Sequence, residues 1–370
     1  MTVFWRSRVG TDRGANDGMV GEVARSHTGE SRNLGQMARI LLTGGAGFIG
    51  SHTAVVLLER GYNVVLLDDF SNADRGVLER IQRISGIEIP VIEADIRDEL
   101  ALTRAFSTFP VDAVIHFAAK KAVGESEVEP LLYLDVNIVG TVRLLAAMQR
   151  VGVSRIVFSS SAAVYGEPEI CPITEAAPAH PTNVYGRTKL VMEGMITDLV
   201  RTGAIQSAAV LRYFNPVGAH PSGLIGEDPR GVPANLMPYL CQVARRRHPF
   251  LRVFGDDYPT PDGSGIRDYI HVMDLAEAHE FALRRTLGHG GIVTVNLGTG
   301  TGYSVLQLVA AFEAATGKKV PYSIMPRRPG DVAECYADAS LAAELLQWRA
   351  TRTIEDMCRD AWRWESRAAF

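Results

Sequence analysis

From position 39 onward, apolar runs of strand length alternate with stretches of helical spacing. The runs cover 40–43, 64–67, 89–93, 113–117, 155–159 and 208–212, and the helical stretches cover 52–60, 77–84, 99–106, 131–150 and 184–201. Nearly unbroken apolar strands between helices predict a parallel sheet buried on both faces, an α/β doubly wound architecture. After position 215 the pattern changes. Eight prolines between 216 and 261 mark a loop-rich region. A segment at 268–285, helical in its second half, a short strand at 292–297, a helix at 305–316 and an amphipathic helix at 353–365 follow. This predicts one domain from 38–215 plus 269–300, and a smaller, discontinuous α/β domain from 216–268 plus 301–370.

Residues 1–37 lack either period and are rich in Gly, Ser, Arg and acids. They predict a disordered N-terminal extension, or an over-long start with Met37 as the true first residue. The longest uncharged stretch, 40–58, approaches the length of a membrane span. It holds four glycines and changes period midway, so a buried strand, turn and helix explain it and no membrane partner is expected. The first residues contain no apolar signal core.

Composition narrows the classes. A chain of 370 residues that is 46% apolar and 22% charged is globular and long enough for about two domains. A formal charge of −4 offers no polycationic surface, so nucleic acid is not an expected partner. Cys171, Cys241, Cys335 and Cys358 show no CxxC spacing. Neither a disulfide framework nor a metal site is predicted, and reduced thiols point to the cytoplasm.

The first strand runs into Gly44-Gly45-Ala46-Gly47-Phe48-Ile49-Gly50, which opens a helix. Gly44, Gly47 and Gly50 form a GxxGxxG spacing of the kind that lets a pyrophosphate approach main-chain N–H groups at a helix N-terminus. Asp68 closes the second strand, where a carboxylate accepts from ribose hydroxyls and repels a 2′-phosphate, favouring NAD over NADP. Asp95-Ile96, after the third strand, is placed for the adenine; an N-cap aspartate is the structural alternative. Tyr185 and Lys189 stand four apart on one predicted helix and share a face. A nearby ammonium stabilises phenolate, so the pair predicts a tyrosine lowered toward neutrality and able to move protons. Ser161, ending the Ser159-Ser160-Ser161 strand, is placed to hydrogen-bond a substrate hydroxyl or the phenol.

Together these residues resemble the extended short-chain dehydrogenase/reductase superfamily, and within it the UDP-glucose 4-epimerase family. The likeness spans about 39–367. It rests on TGGAGFIGSHT (43–53), IHFAAKKAVGES (115–126), FSSSAAVYG (158–166), LRYFNPVGAHPSG (211–223), NLMPY (235–239), DGSGIRDYIHVMDLA (262–276), PRRPGD (326–331) and ADAS (337–340). The resemblance implies a Rossmann-type first domain with tightly bound NAD, regenerated each turnover, contacted by Phe48, Ile49, Asp68, Asn72, Asp95, Ile96, Phe117, Ala118, Lys121, Tyr185, Lys189 and Phe214. It implies catalysis by Ser161, Tyr185 and Lys189. It also implies a UDP-sugar held by Ser161, Asn215, Asn235, Leu236, Phe254, Arg267, Tyr269, Arg328, Asp331 and Cys335. The implied reaction inverts C4 of a UDP-hexose through a transient 4-keto sugar, in galactose metabolism and sugar-nucleotide supply. The implied assembly is a homodimer packed through 131–150 and 184–201.

Three positions depart from the family pattern. Val136-Asn137 replaces an Asn pair, and Asp69 stands where Asn is commoner. Cys335 occupies a position that is a bulky Tyr in enzymes restricted to glucose and galactose, and small in those that also accept N-acetylated sugars. It therefore predicts interconversion of UDP-GlcNAc and UDP-GalNAc as well. A sugar-nucleotide 4,6-dehydratase would place an acid just after the active-site Ser/Thr; Ala162-Ala163 follow Ser161 here. A non-catalytic NAD-binding sensor would tolerate loss of Tyr185 or Lys189, and both are present.

Overall fold

Ile40, Leu41 and Leu42 have no exposed surface, because the strand they form is covered on both sides. The computed structural model describes residues 38–231, 233–328 and 330–367. The expectations for 1–37, Met37 included, lie outside the described residues. Among the described residues thirteen strands occur in this order: β1 (Arg39–Thr43), β2 (Asn63–Asp68), β3 (Val91–Glu93), β4 (Ala113–His116), β5 (Arg155–Ser159), β6 (Ser207–Tyr213), β7 (Asn215–Val217), β8 (Leu251–Phe254), β9 (Ile266–His271), β10 (Gly291–Leu297), β11 (Gly302–Ser304), β12 (Tyr322–Met325) and β13 (Glu334–Cys335).

Seven of them form one parallel sheet in the order β10-β6-β5-β4-β1-β2-β3. Alternate side chains of each strand enter opposite cores. Ile40, Leu42, Val64, Leu66 and Ile115 pack under the helices Phe48–Glu59 and Val272–Gly288. Leu41, Val65, Leu67, Val114 and Phe158 pack under Glu99–Thr108, Gly140–Val151 and Val184–Arg201. The strand order reverses between β1 and β4, which opens a crevice at their carboxyl ends, the usual ligand position in such sheets.

The remaining strands build a smaller region. β9 pairs with β7, β11 and β13, and β8 pairs with β12. Their core joins Val217, Leu240, Val253, Tyr269, Phe312 and Met357 beneath the helices Leu236–Ala244, Val305–Thr316 and Ile354–Arg367. The 268/269 boundary drawn from the pattern falls inside β9.

Two differences from the periodicity have physical reasons. The helix expected at 131–150 is interrupted: Pro130–Tyr133 leads into a π-helical turn, Leu134–Val139, and only then into Gly140–Val151. The wide turn carries Asn137 inward, where its amide accepts from Lys120 N (2.8 Å) and donates to Lys120 O (3.1 Å) and Thr188 Oγ1 (2.9 Å). The helix Leu236–Ala244 lay hidden in the proline-rich stretch, since Pro238 sits in its first turn, where the missing N–H costs nothing.

Candidate active site

The glycine loop is built by close main-chain approach. Gly44 adopts φ 67°, and a Cβ there would lie 2.6 Å from Ala118 N. A Cβ on Gly50 would lie 2.5 Å from Gly44 O. On Gly47, the N-cap of Phe48–Glu59, a Cβ would meet only Gly44 O, at 3.3 Å, so this side of the loop is open for a ligand. Phe117 N and Ala118 N both donate to Thr43 O, which binds the β4 end to the loop. Asp68 is buried at the end of β2; its carboxylate accepts from Ala46 N (3.0 Å) and Phe70 N (2.9 Å). Burial raises its pKa, against those two hydrogen bonds. A buried acid beside an open glycine turn fits the ribose and pyrophosphate of a dinucleotide.

Asp95 is not the N-cap of the following helix. Asp98 takes that place, accepting from Leu100 N and Ala101 N. Asp95 is instead engaged by Arg97 through main chain and guanidinium, which hold its carboxyl below the usual range. Ile96 is buried and Asn72 is exposed. The Lys121 ammonium meets Glu227 at 2.9 Å, and the same carboxylate oxygen accepts from Asn235 Nδ2 at 2.6 Å.

At the end of β5, three successive serines meet one face of the helix Val184–Arg201. Lys189 Nζ donates to Ser159 O at 2.8 Å. Ser160 Oγ donates to Glu193, and the Ser161 hydroxyl stands beside the Tyr185 phenol. Tyr185 and Lys189 are almost wholly buried. Burial lowers the Lys189 pKa to about 7, opposed by Glu193. The tyrosine departs from the expectation. Burial pushes its pKa up, with Tyr213 and Tyr133 adding and Ser161 opposing. The Lys189 ammonium lies 5.9 Å from the Tyr185 ring centroid and is committed to Ser159 O. In the protein alone Tyr185 is therefore held as the neutral phenol, and lowering it requires positive charge from a bound group.

In the smaller region, Asp331 joins two guanidiniums. Its Oδ1 meets Arg267 (3.2 Å) and its Oδ2 accepts from Arg328 Nε (2.8 Å). The Arg328 guanidinium lies over the Phe254 ring, 4.8 Å from its centroid. The Tyr269 phenol is buried, which raises its pKa; Arg267 and Arg328 are close enough to oppose this. Both Asp331 oxygens thus orient the two arginines. Phe214 is buried, Asn215 is exposed at the start of β7, and Asn235 and Leu236 begin the helix Leu236–Ala244.

The geometry can be set beside known proteins. The family model described as GDP-mannose 4,6 dehydratase matches residues 41–361. The UDP-glucose 4-epimerase of Bacillus subtilis (strain 168) is 55% identical over 327 residues, covering 88% of this chain and 96% of that protein. The chain belongs to the UDP-glucose 4-epimerase family. A solved UDP-glucose-4-epimerase from Stenotrophomonas maltophila, with bound NAD and formylated UDP-arabinopyranose, superposes with a TM-score of 0.88 at 53% identity, covering 90% of this chain and 100% of that one. The UDP-Glc/GlcNAc 4-epimerase of Campylobacter jejuni gives a TM-score of 0.78 at 34% identity, covering 89% and 99%.

Membership of the epimerase family agrees with the residues after Ser161, where Ala162 and Ala163 supply no acid for dehydration. Cys335 stands on β13 opposite Arg267 of β9, beside Cys171 and Phe214. Burial raises its thiol pKa to about 11, so it is an unreactive small side chain rather than a nucleophile. All four cysteines are free. The motifs did not single out Glu193, Arg212, Thr188 or Glu227. The one signal for Glu193 was its spacing of four from Lys189.

Proposed function

We infer that this protein interconverts UDP-glucose and UDP-galactose by inverting C4, and accepts the N-acetylated pair. What carries the inference is the convergence of Ser161, Tyr185 and Lys189 at the end of β5, next to the glycine crevice, in a chain more than half identical to a named epimerase. NAD is the fitting cofactor: bound relatives carry it, and Gly44, Gly47, Gly50, Asp68 and Lys121 would hold it. When bound, NAD supplies positive charge beside Tyr185 and a reversible acceptor for the C4 hydrogen.

Each protein group then has a task. Ser161 holds the C4 oxygen and the Tyr185 phenol together. With the added charge of the cofactor, Tyr185 ionises, takes the O4 proton and later returns it. Lys189 contributes its ammonium through the same face of the helix. Arg267 and Arg328, already oriented by Asp331, clamp the pyrophosphate with forked hydrogen bonds. Phe254 and Arg328 enclose the anchor, and Asn215, Asn235, Leu236 and Tyr269 line its approach. An anchor of this kind tolerates two orientations of the sugar, so the transient ketone can present either face to the returning hydrogen. Cys335 leaves space where a larger side chain would meet an acetamido group. The region 38–215 plus 269–300 serves NAD, and 216–268 plus 301–370 serves the UDP-sugar.

The active form pairs two copies. Val128 is 76% exposed and Leu131 78% exposed; Leu134, Val142 and Val191 are also exposed on the elements that pack as a helix bundle. Such a patch is a partner surface in a water-soluble chain. Four free thiols suit a reducing cytoplasm. Tyr185→Phe should lower turnover by about three orders of magnitude while UDP-sugar affinity changes little. Near-normal turnover in that variant would remove Tyr185 from its role. Unchanged UDP-GalNAc, under conditions where UDP-galactose turns over, would remove the N-acetylated substrates.

A further inference from the structure

The helix Val184–Arg201 meets the strand end Ser159–Ser161 at three points, one helical turn apart. Ser161 stands beside Tyr185, Ser159 O accepts from Lys189, and Ser160 Oγ donates to Glu193. The third contact is unlike the first two, because Glu193 is tied to a buried arginine. Its carboxylate is 8% exposed and buried against Arg212 of β6, which donates from Nε (3.0 Å) and from Nη2 (2.6 Å). Arg212 in turn donates to Tyr165 Oη (3.1 Å), which donates to Asn296 (2.7 Å). A buried ion pair of this kind contributes little net stability over an apolar pair. Its placement one turn beyond the lysine asks for another reason.

Resting on the epimerase reading above, we propose that Glu193 is a positioning residue: held by Arg212 and Ser160, it keeps Lys189 cationic and fixes the catalytic helix against the strand end that carries Ser161. Lys189 is buried between Phe158, whose ring centroid is 5.0 Å from Nζ, and its own helix. Few charges face it. On its helix these are Tyr185 and Glu193. From β4 comes His116, which burial holds neutral with a pKa of about 3. From the helix Val272–Gly288, His279 faces Ser159 Oγ at 3.3 Å, and burial lowers it to about 4. Glu125 and Glu127, on the neighbouring helix, are taken by the Tyr133 hydroxyl and the Val184 N–H. Glu193 is thus the acid that supports the ammonium, with Arg212 moderating it.

The test is kcat against pH for UDP-galactose conversion by the holoenzyme, with melting curves as a check of folding. Loss of the Lys189 proton makes the alkaline limb. In Glu193→Gln the limb should move about one unit toward acid, lowering kcat about tenfold above it, with KM for the UDP-sugar unchanged. In Arg212→Met the carboxylate is no longer neutralised, and the limb should move toward alkali. Glu193→Asp should restore the wild-type position. Merely structural damage lowers kcat without opposed shifts. If both variants lose activity with the limb fixed, or if KM rises at constant kcat, Glu193 has no such role. A wild-type enzyme that leaves UDP-galactose unchanged overturns the epimerase reading and this proposal with it.

Discussion

The two walls of the crevice are made of different material. The proposed dinucleotide wall is main chain: at Gly44 and Gly50, β1, β4 and a helix N-terminus come so close that side chains do not fit, while Gly47 faces open space. The proposed sugar wall is side chain: Arg267, Asp331 and Arg328 come from β9 and from the segment before β13, and Arg328 is 54% exposed. The first wall is fixed by sterics and tolerates almost nothing. The second is an electrostatic clamp, whose members can be traded at graded cost. That contrast suits an enzyme whose cofactor stays and whose sugar must turn over.

The largest effect should come from the first wall. Gly50→Val forces carbon into Gly44 O and Gly45 Cα, so the purified variant should lose several kcal/mol of stability and carry no NAD, read by absorbance and mass spectrometry after denaturation. Retained NAD with normal stability would break the comparison.

The clamp should respond less. Arg267→Ala and Arg328→Ala remove charge-assisted donors, each about 1.5–3 kcal/mol of UDP-sugar binding, with melting temperature little changed. Arg328, the more exposed, should show the smaller loss. Calorimetric titration with UDP checks the order.

Next comes the strain between the walls. Burial lowers Lys189 to about 7, so its charging burdens the folded state. The contribution of the neutral amine is full above the unfolded value near 10.5 and is lost as pH falls toward 7. Lys189→Met should therefore raise the melting temperature of NAD-free protein at pH 7 by a few degrees while stopping turnover. A lower melting temperature would count against a strained site.

The smallest effect concerns acid. His52 and His116 are lowered to about 3, and His279 to about 4, each by burial. Their contribution is complete above pH 6.5 and disappears as pH falls through 4 and 3. Acid unfolding followed by circular dichroism should steepen over that window, and His116→Gln should shift its midpoint downward.

What could be read from the sequence follows the same division. The glycine loop, the Ser161 strand end and Tyr185–Lys189 are local spacings, and local spacing survives in one dimension. The helices at 184–201 and 305–316 were legible to the residue from their spacing, and in the structure Asn183 caps one and Ser304 with Gln307 forms a capping box on the other. The ties of Asp331 to Arg267, of Glu193 to Arg212 and of Glu227 to Lys121 join positions far apart in the chain, and no period announces them. The π-helical turn at Leu134–Val139 was hidden because it serves one inward side chain, Asn137, rather than a repeating face. The raised tyrosine was missed because motif spacing reports neighbours and not burial.

The most direct test follows the hydrogen at C4. Purified protein, with no NAD added, is given UDP-galactose deuterated at C4 in ordinary water, and the product is read by NMR. The account predicts UDP-glucose that keeps the deuterium at C4, because the hydrogen never leaves the closed crevice while Tyr185 exchanges only the hydroxyl proton. Product carrying solvent hydrogen at C4, or no product at all, would contradict it.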